Sequence, residues 1–517
     1  MKINHSIKFF AILCIILTVS LFAIRTSSAQ TSICEPNTYY VDATNGLDTN
    51  DGTCSDKAWK TIAKVNSSSF SPGSTIKFKK GETWHEQLTI PSSGTAGNPI
   101  TFTSYGTGTK PTIDRDNTGT YGIYSSGKSY ITIDGFIIKK LGKGYAYAIY
   151  FTGGSYAVVS NNDISEVYYA SNPYPNIGID IHDWEHQYGV GILLSKVNGA
   201  LISGNTIRDC GSSAISYSTG DNVNLFNLGE ISNNEITNIN VGIRIASGNT
   251  SGIAIQNVKV HNNYIHDFNN YYYCSAWHRD AIHVWSTSGL SATSIEDIEI
   301  YDNYFEDTVN HVAGSTAWIY IEYNCKNFKI HHNVLTQGAS INAIRFKGLS
   351  GQNPYTAGGH EVYNNTIWSI LDANNGTGIY SEWTIGNTFK NNIFYVQKFA
   401  YTSSGETPTT GFESDYNIMI DFDGDDIATY NAAFKNFAEL QSAGLETHSI
   451  NANPLFVNEN NPLGPDGIPF TADDGLKLSA GSPAIGSGTN GQDIGAYDYI
   501  PPPDTISPSA PSGLSVN

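Results

Sequence analysis

Four residues have the side-chain types from which an acid–base site can be built: Arg244, His283, Tyr320 and Arg345. An arginine presents a planar fork that grips a carboxylate through two N–H groups. A histidine changes charge near neutral pH and serves as a proton acceptor. A tyrosine phenol can give or take a proton. Each holds the same place in a short stretch, directly after an isoleucine: GIRIA (242–246), AIHVW (281–285), WIYIE (318–322) and AIRFK (343–347). A neighbouring arginine disfavours protonated His283 and keeps it available as a base. Two flanking cations favour ionised Tyr320.

These stretches belong to a longer series with AIYFT (148–152), GILLS (191–195), AISYS (214–218) and GIYSE (378–382). Each alternates apolar and polar residues, the period of a strand with one buried face. With the isoleucine inward, the next residue and the one three after it point outward. Stacking the stretches then creates two columns. The first reads Tyr150, Leu193, Ser216, Arg244, His283, Tyr320, Arg345, Tyr380. The second reads Thr152, Ser195, Ser218, Ala246, Trp285, Glu322, Lys347, Glu382. At a strand spacing of about 4.8 Å, Arg244 to Arg345 spans about 14 Å, the length of a few sugar units. Trp285 offers a flat apolar face for a sugar ring. Glu322, Lys347 and Glu382 alternate in sign, as a salt-bridge ladder would. Lys347 can also serve as a base or bind substrate, and Glu322 as a calcium ligand or a hydrolase carboxylate. A cross-coil ladder without catalysis accounts for the first column equally well.

A second series sets the period. Stretches of the form apolar-x-Asn-Asn-x-Ile place an Asn or its equivalent at 162, 205, 234, 263, 303, 333, 365 and 392. Recurrence at intervals mostly near thirty residues, with insertions, is the mark of a solenoid. Asn tolerates the left-handed backbone of a sharp corner, and stacked amides can hydrogen-bond from coil to coil. Each coil buries its isoleucine side only against its neighbours. On these two repeats, residues 115–420 resemble the right-handed parallel β-helix proteins, which include pectate lyases, chondroitinase-type and alginate lyases, and polygalacturonases. The resemblance implies an all-β solenoid of about ten coils with an N-terminal cap. It implies a carbohydrate-active protein more weakly, because fold does not determine reaction.

Two insertions lie between a corner Asn and the next repeat isoleucine, leave the coil at the same corner as each other and are expected to wall a cleft. One, 168–189, carries His182, Asp183, Glu185 and His186; the other, 270–280, carries Tyr272, Trp277 and His278. Tyr272 and Trp277 are candidates for sugar contact. His278, Asp280 and His283 lie close together in sequence. They read as a carboxylate orienting a catalytic histidine, as a two-His-one-Asp metal site, or as a loop anchored by Asp280. Asp421, Asp423, Asp425 and Asp426 form one acidic turn, and Asp466, Asp473 and Asp474 another. Both have the oxygen-rich composition of calcium sites without EF-hand spacing. The sequence establishes no cofactor; calcium is the candidate ion for these acidic turns.

Residues 1–29 have the basic start, apolar run and small-residue end of a secretory signal, so the chain is expected outside the cell and off the membrane. The leader carries three basic residues and no acidic ones, so the formal charge of −19 becomes −22 without it. Such a charge argues against a nucleic-acid partner. Of the five cysteines left, Cys34 and Cys54 are the expected bridge. Residues 30–115 read as cap and first coils, with a short helix over 58–65, then 116–420 as the β-helix and 421–500 as a closing segment. Residues 501–517 read as a Pro/Ser-rich linker that resembles the approach to a fibronectin type III module.

The favoured reaction is β-elimination on a uronic-acid polymer, with polysaccharide as the partner. A cation neutralises the uronate carboxylate, a base takes the C5 proton and an acid protonates the leaving oxygen. Arg244 or Arg345, His283 and Tyr320 supply these roles. A hydrolase would use two carboxyls, Glu322 and Asp280. A noncatalytic glycan-binding β-helix is the third reading.

Overall fold

The computed structural model describes residues 32–142, 145–167, 189–219, 226–248, 253–268, 279–286, 294–306, 315–336, 342–351, 356–369, 376–403, 411–420 and 425–501. The leader, the Pro/Ser-rich tail beyond residue 501, Asp421, Asp423, and the insertion residues His182, Asp183, Glu185, His186, Tyr272, Trp277 and His278 lie outside the described residues.

The two repeats fold as one parallel β-helix. Ile123, Ile149, Ile192, Ile215, Ile243, Ile282, Ile319, Ile344 and Ile379 pair in register from coil to coil. All are fully buried. Each typical coil has three strand segments, as Ala157–Ser160, Asp163–Val167 and Gly189–Ser195 show. The segment before the Asn corner builds one sheet, whose main path orders thirteen strands from Thr38–Val41 to Glu413–Asp415. The solenoid is therefore longer than the ten coils expected, because its first rungs lie in the presumed cap and carry no Asn signature.

The Asn corner works by a division of labour. The residue before each ladder Asn takes the left-handed turn, for example Asn161 (φ 55°), Asn262 (φ 52°) and His332 (φ 53°). The ladder Asn is buried and links coils. Asn263 Nδ2 donates to Asn303 Oδ1 at 2.9 Å, and the Asn263 backbone N–H donates to the same oxygen at 3.0 Å. The pattern runs from Asn162 to Asn392 and adds Asn417, which its flanking sequence had hidden. In a solenoid a buried amide has nowhere else to find partners, so the ladder satisfies donors that burial would leave orphaned.

At the N-terminus the helix covers Ile62–Asn66 instead of 58–65. Ala58 and Trp59 are held extended, because Leu47 N–H and Asp42 N–H donate to their carbonyls. Thr61 then caps the helix by accepting from Lys64 N–H. Cys34 and Cys54 are disulfide-bonded, while Cys210 and Cys325 are free and buried.

The C-terminal segment does more than close the end. After the hairpin Ala428–Tyr430/Ala433–Lys435 and the helix Phe437–Ser442, it runs back along the post-Asn face. Tyr304, Val334 and Trp368 from the coils pack with Leu476 and Tyr497 from this segment. Ala496 N–H donates to Thr366 Oγ1 at 3.0 Å. Aromatic side chains had to point outward there, and the segment covers them.

Candidate functional site

Strand register builds both columns as the repeats imply. Ser216 pairs with Arg244, Arg244 with His283, His283 with Tyr320, Tyr320 with Arg345 and Arg345 with Tyr380. Two residues along each strand pair, Trp285 meets Glu322, Glu322 meets Lys347 and Lys347 meets Glu382.

The middle of the columns forms a connected cluster. The His283 and Tyr320 rings stack with centroids 4.9 Å apart. His283 stands between two carboxylates: Nδ1 lies 3.5 Å from Asp280 Oδ2 and Nε2 lies 3.6 Å from Glu322 Oε2. The Tyr320 hydroxyl donates to Glu322 Oε1 at 2.9 Å, and Lys347 Nζ donates to the same oxygen at 2.9 Å. Asp280 is anchored from the other side, where Ala317 N–H donates to its Oδ1 at 3.0 Å.

Environment separates the two carboxylates. Burial raises Asp280 to about 7, with His283 and the Ala317 N–H pulling the other way. Burial also raises Glu322, but the nearby His283 and hydrogen bonds from Lys347 and Tyr320 outweigh it and hold Glu322 down to about 2. One acid of the cluster therefore carries a proton up to near-neutral pH, and the other is ionised throughout.

Several expectations need correction. His283 and Tyr320 point away from the isoleucine core, but neither is exposed: 8% and 0% of their surfaces are accessible. Tyr320 is not pushed towards phenolate. Burial and the neighbouring Glu322 charge raise its phenol well above the usual value, outweighing Arg345. The charged groups at the His283 ring nitrogens are carboxylates, whereas an arginine had been expected to set its state. Asp280 and Glu322 do not suit a hydrolase pair, since the imidazole lies between them and Asp280 is 1% exposed. The Glu322–Lys347–Glu382 ladder forms only in part. Lys347 binds Glu322, while Glu382 receives Arg345 Nη2 at 3.1 Å.

The two arginines now differ. Arg345 is engaged by Glu382 and lies over the Tyr320 and Tyr380 rings at 5.2 and 5.3 Å. Arg244 donates Nε–H to Ser216 Oγ at 3.0 Å and lies over Trp285 at 5.6 Å. Burial lowers its guanidinium pKa, and no acidic side chain among the described residues pairs with it.

For metals, the set among the described residues with ligand atoms mutually within 4.8 Å, apart from the disulfide cysteines with Asp56, is His85, Asp114 and Asp116. Lys139 and Lys140 stand 3.8 and 3.4 Å from Asp114 Oδ2 and already balance its charge. In the acidic turn near the C-terminus, Asp473 accepts from Asp466 N–H, and Asp474 from Phe470 and Thr471 N–H.

Sequence reasoning missed Ser216 as the anchor of Arg244. Ser216 was legible from the column itself.

Residues 103–250 match the family model described as right handed beta helix region. Over 89 residues the chain is 34% identical to a lacto-N-biosidase from Bifidobacterium longum subsp. longum, a stretch covering 16% of this chain and 6% of that protein. Among solved structures, XylC in complex with xylose superposes with a TM-score of 0.50 at 14% identity, covering 77% of this chain and 86% of that one. A GH136 lacto-N-biosidase from Eubacterium ramulus gives a TM-score of 0.48 at 14% identity, covering 74% and 67%. With the in-register parallel coils, the family-model match over residues 103–250 gives the chain the fold of a right-handed parallel β-helix.

Proposed function

We propose that the chain is a secreted, carbohydrate-active enzyme that cleaves a uronic-acid-containing polysaccharide by β-elimination. The observation that carries this reading is Arg244. A partly buried guanidinium with no acidic partner among the described residues is costly unless an anion arrives to pair with it. It stands one rung from the His283–Tyr320 pair, and a planar carboxylate suits its fork.

In this reading Arg244 neutralises the uronate carboxylate and makes the C5 proton acidic. His283, oriented by Asp280, accepts that proton. Tyr320, kept protonated, gives its proton to the O4 leaving group as the C4–O bond breaks and the C4–C5 double bond forms. Arg345 serves to position Tyr320. Because His283 and Tyr320 are buried, the face above them must open to admit the glycan. Calcium has no step in this proposal.

Glycoside hydrolysis is the second reading, favoured by the match to lacto-N-biosidase. The test is the product. Incubation with a panel of uronate polymers and neutral glycans should release chain ends that absorb in the ultraviolet. New reducing ends without that absorbance would establish the hydrolase instead. Binding with no cleavage would establish a noncatalytic glycan-binding protein.

A further inference from the structure

A second cleft opens on the other sheet, the one that precedes the Asn corner. Its volume is about 820 Å³, inside the range of about 300–1,000 Å³ typical of small-ligand sites. One wall is the outer face of the late coils, with Glu361, Tyr363, Lys390 and Glu413. The opposite wall is the returning C-terminal segment, with Gln492 and Asp498.

The fold holds these walls together. The C-terminal segment rests on two left-handed corner residues, Asn364 (φ 52°) and Asn391 (φ 57°). Asn364 Nδ2 donates to the Asp493 carbonyl at 3.2 Å, and Thr489 N–H donates to Asn391 Oδ1 at 2.8 Å. The bonds join positions 129 and 98 residues apart, so the cleft is formed before any ligand arrives.

A column of stacked rings ends in this cleft. His261, Tyr301, His331 and Tyr363 are direct partners in successive coils. Their centroids are 4.6, 5.1 and 4.7 Å apart, with planes within 11° of parallel. The same column holds Ser160, Ser203 and Ser232 in earlier coils and Lys390 in the next. Lys390 Nζ donates to Glu413 Oε2 at 2.7 Å. Among the described residues, the one ring parallel to Tyr363 is His331, and no cation lies over it. The last ring of the column is thus a half-buried aromatic surface at the cleft.

The polar groups around it suit hydroxyls. Glu361 and Asp498 are exposed, and neither side chain has a hydrogen-bond or ion-pair partner among the described residues. An ionised carboxylate only accepts, so it takes O–H groups. Four acidic side chains line the cleft, Glu361, Glu413, Asp493 and Asp498, against one lysine, Lys390. A uronate would meet like charge there. Among the described residues, no three histidine or acidic side chains of the cleft bring ligand atoms within 4.8 Å of one another, as a bound cation would require. An apolar ring beside fixed acceptors matches an uncharged sugar, which has a C–H face and a rim of hydroxyls.

We propose that this cleft is a second binding site, separate from the His283–Tyr320 cluster, for an uncharged stretch of glycan. Tyr363 meets the C–H face of a sugar, and Glu361, Asp498 and Gln492 take its hydroxyls. The site holds the protein on a neutral polymer without cleaving it, and it does not depend on the β-elimination reading.

The test uses Glu361→Gln, Asp498→Asn and Tyr363→Leu in the full chain. The first two side chains are exposed, and leucine keeps an apolar side chain against His331, so Tm should hold. Binding of xylo-, cello- and manno-oligosaccharides, of oligogalacturonate and of calcium chloride is measured by calorimetry. The parent should bind at least one of the neutral oligosaccharides. Each carboxylate variant should weaken that binding about tenfold, the worth of one hydrogen bond to a charged group. Tyr363→Leu should weaken it about threefold, the worth of an aromatic contact. Turnover of any glycan that the parent cleaves should stay near the parent value. Weaker neutral binding in the variants upholds the site even if no uronate is cleaved. If Tyr363→Leu lowers Tm, the two carboxylate variants decide the question. No binding of any neutral oligosaccharide overturns the proposal, as does neutral binding that the variants leave unchanged. Oligogalacturonate binding that the variants weaken instead overturns the choice of an uncharged sugar. Calcium binding that Glu361→Gln and Asp498→Asn abolish makes the cleft a cation site and overturns the proposal too.

Discussion

The imidazole of His283 and the phenol ring of Tyr320 lie face to face, with centroids 4.9 Å apart and planes 13° apart. They are direct partners in a parallel pair, so coil stacking sets their separation. Glu322 ties the pair together by standing 3.6 Å from His283 Nε2 and accepting from the Tyr320 hydroxyl. Coil stacking and this shared carboxylate hold the two rings in fixed relation.

Under the β-elimination reading, His283→Ala and Tyr320→Phe should each lower kcat by about 10²-fold or more, the scale of general acid–base help. Tyr320→Phe should also cost about 1 kcal/mol of stability, since Glu322 loses one buried donor. Steady-state kinetics and thermal unfolding check both. Parent-like turnover in the two variants would remove them from the mechanism.

Arg244 and Arg345 should separate by phenotype. Arg244→Ala should cut kcat/KM by about 10²–10³-fold, the cost of removing a charge-stabilising donor, with little change in Tm. Arg345→Ala should destabilise by about 1–2 kcal/mol, because Glu382 loses its partner. Comparable effects of both on turnover would return the carboxylate role to either.

Asp280 gives the fold a defined pH dependence. Its folded-state pKa is raised from 3.8 to about 7, so the folded protein holds this proton more tightly than the unfolded chain does. The resulting stability is fully present below about pH 4. It is lost as pH rises through about 7, at roughly 1.4 kcal/mol per unit of difference. Asp280→Asn keeps an acceptor for Ala317 N–H and removes the titration. Denaturant melts between pH 4 and 8 should show a decline in the parent that is smaller in the variant. Glu322 acts oppositely: its stabilisation is present above about pH 4.5 and is lost as pH falls towards 2.

The Asn corner should show two kinds of sensitivity. Asn263→Ala removes donors to Ile231 O and Asn303 Oδ1 and the acceptor for Asn234, and should cost about 2–4 kcal/mol. Asn262→Gly, at the neighbouring left-handed position, should be nearly neutral. Equal effects at the two positions would contradict the division of labour between them.

Much of this protein was legible before folding. Strand period, coil period and register follow from where Ile and Asn recur, because a solenoid can bury those residues only by repeating them. The columns followed in turn, down to the pairing of His283 with Tyr320. What the repeats do not encode is the third dimension of each column. Which arginine is engaged depends on Glu382, reached across a coil boundary. The opposed states of Asp280 and Glu322 depend on burial and on donors from neighbouring coils. Tyr320 remains a protonated phenol because solvent is excluded and Glu322 sits beside it, neither of which is visible in a stretch that reads WIYIE. Periodicity specifies which residues meet; charge state and accessibility depend on everything packed around them, and only the tertiary structure decides those.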